Sequence, residues 1–149
     1  MVKVKDIMTA INQLIIKPYP DDPVYVQTCP KDFARPSFWL EYVRLSQVDA
    51  NRSTVEKTVY FSITCFAPVD KRFRSDPDEL SALQDSILDL FAEGYISVGD
   101  RSIKVQSSTG GMDIDRAYID LQFNFYDNRT DEEDQTPLIT SVTTRILEG

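Results

Sequence analysis

A chain of 149 residues fits one domain with one core, and its 42% apolar and 27% charged content disfavours both disorder and a membrane class. No apolar run reaches the ~18 residues that a membrane span needs, and histidine is absent, which removes the commonest general base and metal ligand together. The net charge of −8 is uneven: residues 1–74 hold 11 Lys/Arg and 8 Asp/Glu, net +3, whereas residues 75–149 hold 5 and 16, net −11. Such asymmetry either orients partners through opposite-signed faces or reflects two solvated faces.

The chain opens with an amphipathic helix, because Val4, Ile7, Met8, Ile11, Leu14 and Ile15 recur at helical spacing. Asp6, Asn12 and Gln13 interrupt the apolar stretch that a signal peptide needs, so the segment reads as a cytosolic helix. Pro18 and Pro20 stop it near Ile16. A strand over Val24–Thr28 follows, and the flanking Pro23 and Pro30 predict a short or edge strand. A second strand, Phe38–Leu45, sets Phe38, Leu40 and Tyr42 on one face and Trp39, Val43 and Leu45 on the other. Apolar residues on both faces predict cover from both sides, by the domain's own helices or by a neighbouring subunit.

A polar connection, Asp49–Ser53, leads as a hairpin into a long strand, Val55–Ala67, pairing antiparallel with the one before it. Val55, Lys57, Val59, Phe61, Ile63 and Cys65 share its apolar face. Tyr60 and Phe66 lie on the second face, where a helix or an adjoining subunit is expected to cover them. Beyond Pro68, the cations Lys71, Arg72 and Arg74 surround Phe73. That loop is a candidate partner interface, for protein or for nucleic acid, set against the ordinary alternative of a solvated loop.

Asp76-Pro77-Asp78-Glu79 signals a helix start, with Asp76 as cap, Pro77 in the first turn and Glu79 completing a capping box. The helix is expected to bury Leu80, Leu83, Ile87, Leu88, Leu90 and Phe91, to show Gln84, Asp85, Asp89 and Glu93 to solvent, and to stop at Gly94. Strands over Tyr95–Val98 and Arg101–Ser107 flank a Gly99-Asp100 turn. A turn at Ser108–Gly111 then feeds a strand over Met112–Tyr126, with Ala117, Ile119, Leu121, Phe123 and Phe125 on its apolar face. The two long alternating strands are expected at the centre of the sheet.

Residues 1–130 thus read as one α+β domain, a mixed and mainly antiparallel sheet with two helices in the order α-β-β-β-α-β-β-β. Residues 131–149 read as an acidic linker and a β-prone C-terminal arm, whose candidate contacts are Leu138, Ile139, Val142 and Ile146. Such an arm can add a strand to its own sheet or to a neighbour's edge.

No constellation announces a reaction. Ser108–Gly111 lacks the phosphate-loop pattern and precedes a strand. Asp113 and Asp115 share a face and could hold a hard cation with Asp100 or Asp127, although strand-end carboxylates are usually just solvated. Cys29 and Cys65 read as reduced packing residues. Neither a cofactor nor a catalytic residue is implied.

The runs KDIMTAINQ, PVYVQTCPKDFARPSFWLEYV, TVYFSITCFAPVD and SSTGGMDIDRAYIDLQFNFYDNRT together resemble the tail terminator family of prophages and long-tailed phages in Gram-positive bacteria. The similarity is one of whole-chain pattern over residues 3–130. It implies a non-enzymatic virion protein that assembles in the host cytoplasm and ends in the virion tail. By the same resemblance it is a homo-oligomer, a hexameric ring that caps the tail tube, halts its growth and presents the head-joining surface. The implied partners are the tail tube protein, a head-tail connector protein and DNA passing through the lumen without specific binding, with no membrane. A head-tail connector or neck protein is the alternative, and a small-ligand module or enzyme a remote one.

Overall fold

Hydrophobic periodicity becomes eight elements: α1 (Val4–Ile16), β1 (Val24–Val26), β2 (Ser37–Asp49), β3 (Thr54–Phe66), α2 (Pro77–Asp89), β4 (Tyr95–Val98), β5 (Arg101–Met112) and β6 (Arg116–Asn128). They are seen in a computed structural model that describes residues 2–128. The linker and arm expected over 131–149 lie outside the described residues. The six strands form one sheet in the order β1-β2-β3-β6-β5-β4. β1 runs parallel to β2, and every other pair is antiparallel. The expected α+β architecture is met, including the central place of the two long strands.

One face of the sheet carries the core. Ile7, Ile11 and Ile15 of α1 and Leu80 and Ile87 of α2 are buried in one cluster with Phe38, Leu40, Val59, Phe61, Ile63, Ile103, Ile119, Leu121 and Phe123. Alternation along β3 and β6 supplies this layer, and both helices lay their apolar stripe on it. The Tyr19 hydroxyl donates to Ser86 Oγ at 2.8 Å, tying the end of α1 to α2, while the Tyr19 ring packs against Phe38. Burial pushes the Cys65 thiol up to about 12, as its place in the core predicts.

Helix starts follow the expected chemistry with one change. The Asp76 carboxylate accepts from the Asp78 N–H at 3.0 Å, so the cap acts alone and not as a box with Glu79. In α1 the return bond of a box does form, the Lys3 N–H donating to Asp6 Oδ2 at 3.0 Å. Gly94, at φ +85°, closes the turn after α2.

Three sequence expectations are corrected. β1 ends at Val26, not Thr28, because Gln27 turns into the left-handed region at φ +65°. β2 runs on to Asp49, since its polar second half stays paired to β3, and it carries a bulge between Tyr42 and Arg44. The extra residue, Val43, reverses the alternation: Leu45 stands opposite Val59 on the helix-bearing face, so Trp39, Val43 and Leu45 do not share one side. Finally, Ser108–Gly111 is not a turn. β5 continues through it to Met112, and the chain reverses at Asp113–Asp115.

The two glycines mislead because Gly110 serves a close approach instead. Gln84, expected in solvent, points its Nε2 at the Gly111 carbonyl at 2.7 Å and the Tyr118 carbonyl at 3.1 Å. A Cβ on Gly110 would stand 2.7 Å from that same nitrogen. Gly110→Ala should therefore displace Gln84 and cost about 1–2 kcal/mol by urea unfolding. In a Gln84→Ala background the same change should cost markedly less; equal costs would show that the two residues are not coupled. Ile87→Ala, at a fully buried position, should cost about 3 kcal/mol in the same measurement.

Candidate assembly interface

At the end of the sheet where β3 finishes and β6 begins, three loops meet. The β3–α2 loop is a tight turn organised by Asp70, whose carboxylate accepts from the Arg72 and Arg74 N–H groups at 2.8 and 3.1 Å. These backbone bonds, from Arg74 first and then Arg72, hold the Asp70 carboxyl below its ordinary range. Inside the turn Phe73 adopts φ +59°, a region bulky residues avoid. Its ring is 70% exposed, and Lys71, Arg72 and Arg74 are exposed around it. Strain of this kind persists only where neighbouring bonds fix it.

The loop is anchored to the β5–β6 turn. The Ser75 N–H donates to the Ile114 carbonyl at 2.9 Å, and Ile114 itself is 62% exposed. Beneath lies an aromatic and ionic support. Phe66 and Phe33 pack with ring centroids 4.0 Å apart, and the Arg35 and Arg116 guanidinium groups lie over Phe66 at 5.4 and 4.8 Å. Arg35 donates to the Ala67 carbonyl at 2.9 Å and to Asp115 Oδ2 at 2.7 Å, and Arg116 donates to both Asp115 oxygens at 2.9 Å. Arg116 first, then Arg35, holds the Asp115 carboxyl down at about 2 against the opposing effect of partial burial. A loop and two arginines thus cover Phe66, where a helix or a subunit was expected. Tyr60 is covered by the Arg44 guanidinium, 4.0 Å above its ring.

Asp115 is therefore an ion-pair partner, not part of a cation site. Asp113 uses its carboxylate on the Ile114 N–H at 2.8 Å. Asp127 lies at the far end of β6, roughly 40 Å along the strand, where it meets Lys57 at 3.5 Å and Arg101 at 3.3 Å and accepts from the Val2 N–H. Among the described residues no three His, Cys, Asp or Glu are grouped as a metal would need, and no helix is long and apolar enough to cross a membrane.

The candidate residues fall into two places. Lys71, Arg72, Phe73 and Arg74 stand together at the loop end. Trp39 is half-buried and donates its Nε1–H to the Gln27 carbonyl at 3.0 Å. Val43 and Leu45 are exposed in the second half of β2, toward the opposite end. Met112 and Ile114, exposed beside the loop end, escaped sequence reasoning because the chain reversal there was placed too early. The charge asymmetry of the chain is not carried by the strands of its first half, where Arg44 and Lys57 stand against Glu41, Asp49 and Glu56; the exposed cations Lys71, Arg72 and Arg74 lie at the loop end, and residues 75–128 hold 11 carboxylates and 3 cations.

A model of the phage tail terminator protein family matches residues 6–135. The chain belongs to that family. The match spans the described elements from the first turn of α1 to the end of β6, so the loop end, the bulged β2 and the central ladder are all parts of a tail terminator family domain. The family is one of structural phage tail proteins that interact with tail and head components, which places the protein in the virion tail. No curated protein matches the chain. A solved chain that resembles this terminator family protein has 15% identity and a TM-score of 0.48, covering 87% of this chain and 97% of its own.

The support under the interface is open to a direct test. The folded Asp115 value lies below the ~3.9 of an unfolded aspartate, so its stabilisation is complete above about pH 4 and is lost as pH falls toward 2. Asp115→Asn should lower stability by about 2 kcal/mol at pH 7 and flatten the fall in stability between pH 4 and 2. An acid unfolding curve parallel to the parent's would show that Asp115 does not carry this end.

Proposed function

We propose that the protein is a tail terminator that forms a hexameric ring, caps the tail tube, stops its polymerisation and presents the surface that joins the head. The observation that carries this reading is the family match across residues 6–135. The loop end supports it. Phe73 and Ile114 are large apolar side chains held in solvent on a braced scaffold, ringed by Lys71, Arg72 and Arg74. An exposed aromatic with arginines around it is the composition of an interface hot spot.

In this reading the tail tube protein and a head-tail connector protein are the two partners, and assembly takes place in the host cytoplasm. DNA passes through the lumen of the ring. Exposed carboxylates on and after α2, Asp78, Glu79, Asp85, Asp89 and Glu93, would deny its phosphates a binding site.

Electron microscopy of lysates lacking the protein should show overlong tails without heads; tails of normal length joined to heads would overturn the proposal. Phe73→Gly separates folding from assembly, since glycine accepts the positive φ without strain. The variant should keep its melting temperature within about 4 °C yet fail to restore normal tails, whereas full restoration would remove Phe73 from the interface.

A further inference from the structure

The sheet leaves a length of β2 without a neighbour. β1 pairs only with Phe38, Trp39 and Leu40, and the Gln27 side chain then clamps the next position, bonding both the N–H and the carbonyl of Tyr42. From Val43 to Val48 no described strand lies on that side. The Ala50 N–H bonds the Thr54 carbonyl, and bonded pairs alternate along an antiparallel ladder. The backbone groups of Leu45 and Gln47 therefore face outward. Val43, Leu45 and Val48 are 56%, 41% and 55% exposed along the same stretch. A long apolar edge of this kind is a template for another strand, which natural proteins normally cover.

The chain carries a segment suited to it. β6 ends at Asn128, paired with Thr54 beside the β2–β3 hairpin, at the same end of the sheet as the open edge. Beyond it lie 21 residues, 129–149. Leu138, Thr140, Val142, Thr144 and Ile146 recur there with strand period and are all β-branched or apolar. From β6 to a position outside β2 is three strand spacings, roughly 14 Å. The ten residues 129–138 span up to about 33 Å.

The other edges fit less well. The open part of β5, Gln106–Met112, is at the far end of the sheet from Asn128, and β4 offers only four residues.

We propose that the protein's own C-terminal arm adds to the Val43–Val48 edge of β2 as a seventh, antiparallel strand, with Val142 across from Leu45. The arm starts at the hairpin end, runs toward β1 and stops where Gln27 blocks the edge. Leu138 and Val142 then fall on the helix-bearing face and extend the apolar layer over Leu45, while Ile139 takes the other face. The docking holds whether or not the protein acts as a ring.

Hydrogen exchange on the full chain and on a chain ending at Thr136 tests this. Amides in peptides covering Val43–Val48 should exchange at least tenfold faster in the shortened chain, with β6 peptides over Ile119–Phe125 unchanged. Equal exchange at the edge in the two chains would overturn the proposal. A Leu45→Cys and Val142→Cys pair in a Cys29→Ser background should crosslink within one chain, seen at monomer mobility on a non-reducing gel. Crosslinks only between chains would give the edge to a second copy's arm, and no crosslink would remove Val142 from the edge; either result overturns docking as stated.

Discussion

Thirteen consecutive residue pairs, Thr54 with Asn128 through Phe66 with Arg116, join β3 to β6 without a break. Every other part of the molecule takes its position from this ladder. Its regular alternation gives the helices a continuous apolar floor, and its length carries the two ends of the sheet far enough apart to serve separately. Each end is fastened by a carboxylate that belongs to β6 or immediately precedes it. Asp127 gathers Lys57, Arg101 and the Val2 N–H at one end, and Asp115 gathers Arg35 and Arg116 at the other. A slip of one residue in this register would turn Phe61, Ile63, Ile119 and Phe123 out of the core, so the packing of the buried apolar side chains on both strands enforces it.

Much of this was legible in the sequence because it depends on local spacing. Apolar periodicity placed both helices and both central strands, prolines marked the end of α1 and the edge position of β1, and Asp76-Pro77 marked the start of α2. What escaped depends on contacts between distant segments. Nothing around Tyr42-Val43-Arg44 announces a bulge, since the extra residue exists only relative to its partner strand, and its effect was to move Leu45 to the other face. Gly110 and Gly111 have the local chemistry of a turn, but the space that Gly110 leaves is filled by Gln84 from α2, distant in sequence. Phe66 needed a cover that came from a loop, because Arg35 and Arg116 are held over it by Asp115.

The candidate interface was half legible for the same reason. Three cations around an aromatic can be seen in the order of residues 71–74. That Phe73 sits at a positive φ within the Asp70 turn, and that Ile114 joins the loop through Ser75 because the ladder brings the start of β6 beside the end of β3, cannot be seen in that order. The bonds from Asp70 and Ser75 brace this loop against its neighbours.

The cations of the loop end bear on symmetry. Because Lys71, Arg72 and Arg74 stand exposed together there, an isologous contact through that end would set like charges against each other. A heterologous contact of that end with the exposed carboxylates of α2 would set unlike charges together. Electrostatics at the loop end therefore works against two-fold pairing through it, and added salt weakens that effect more than it weakens the fold.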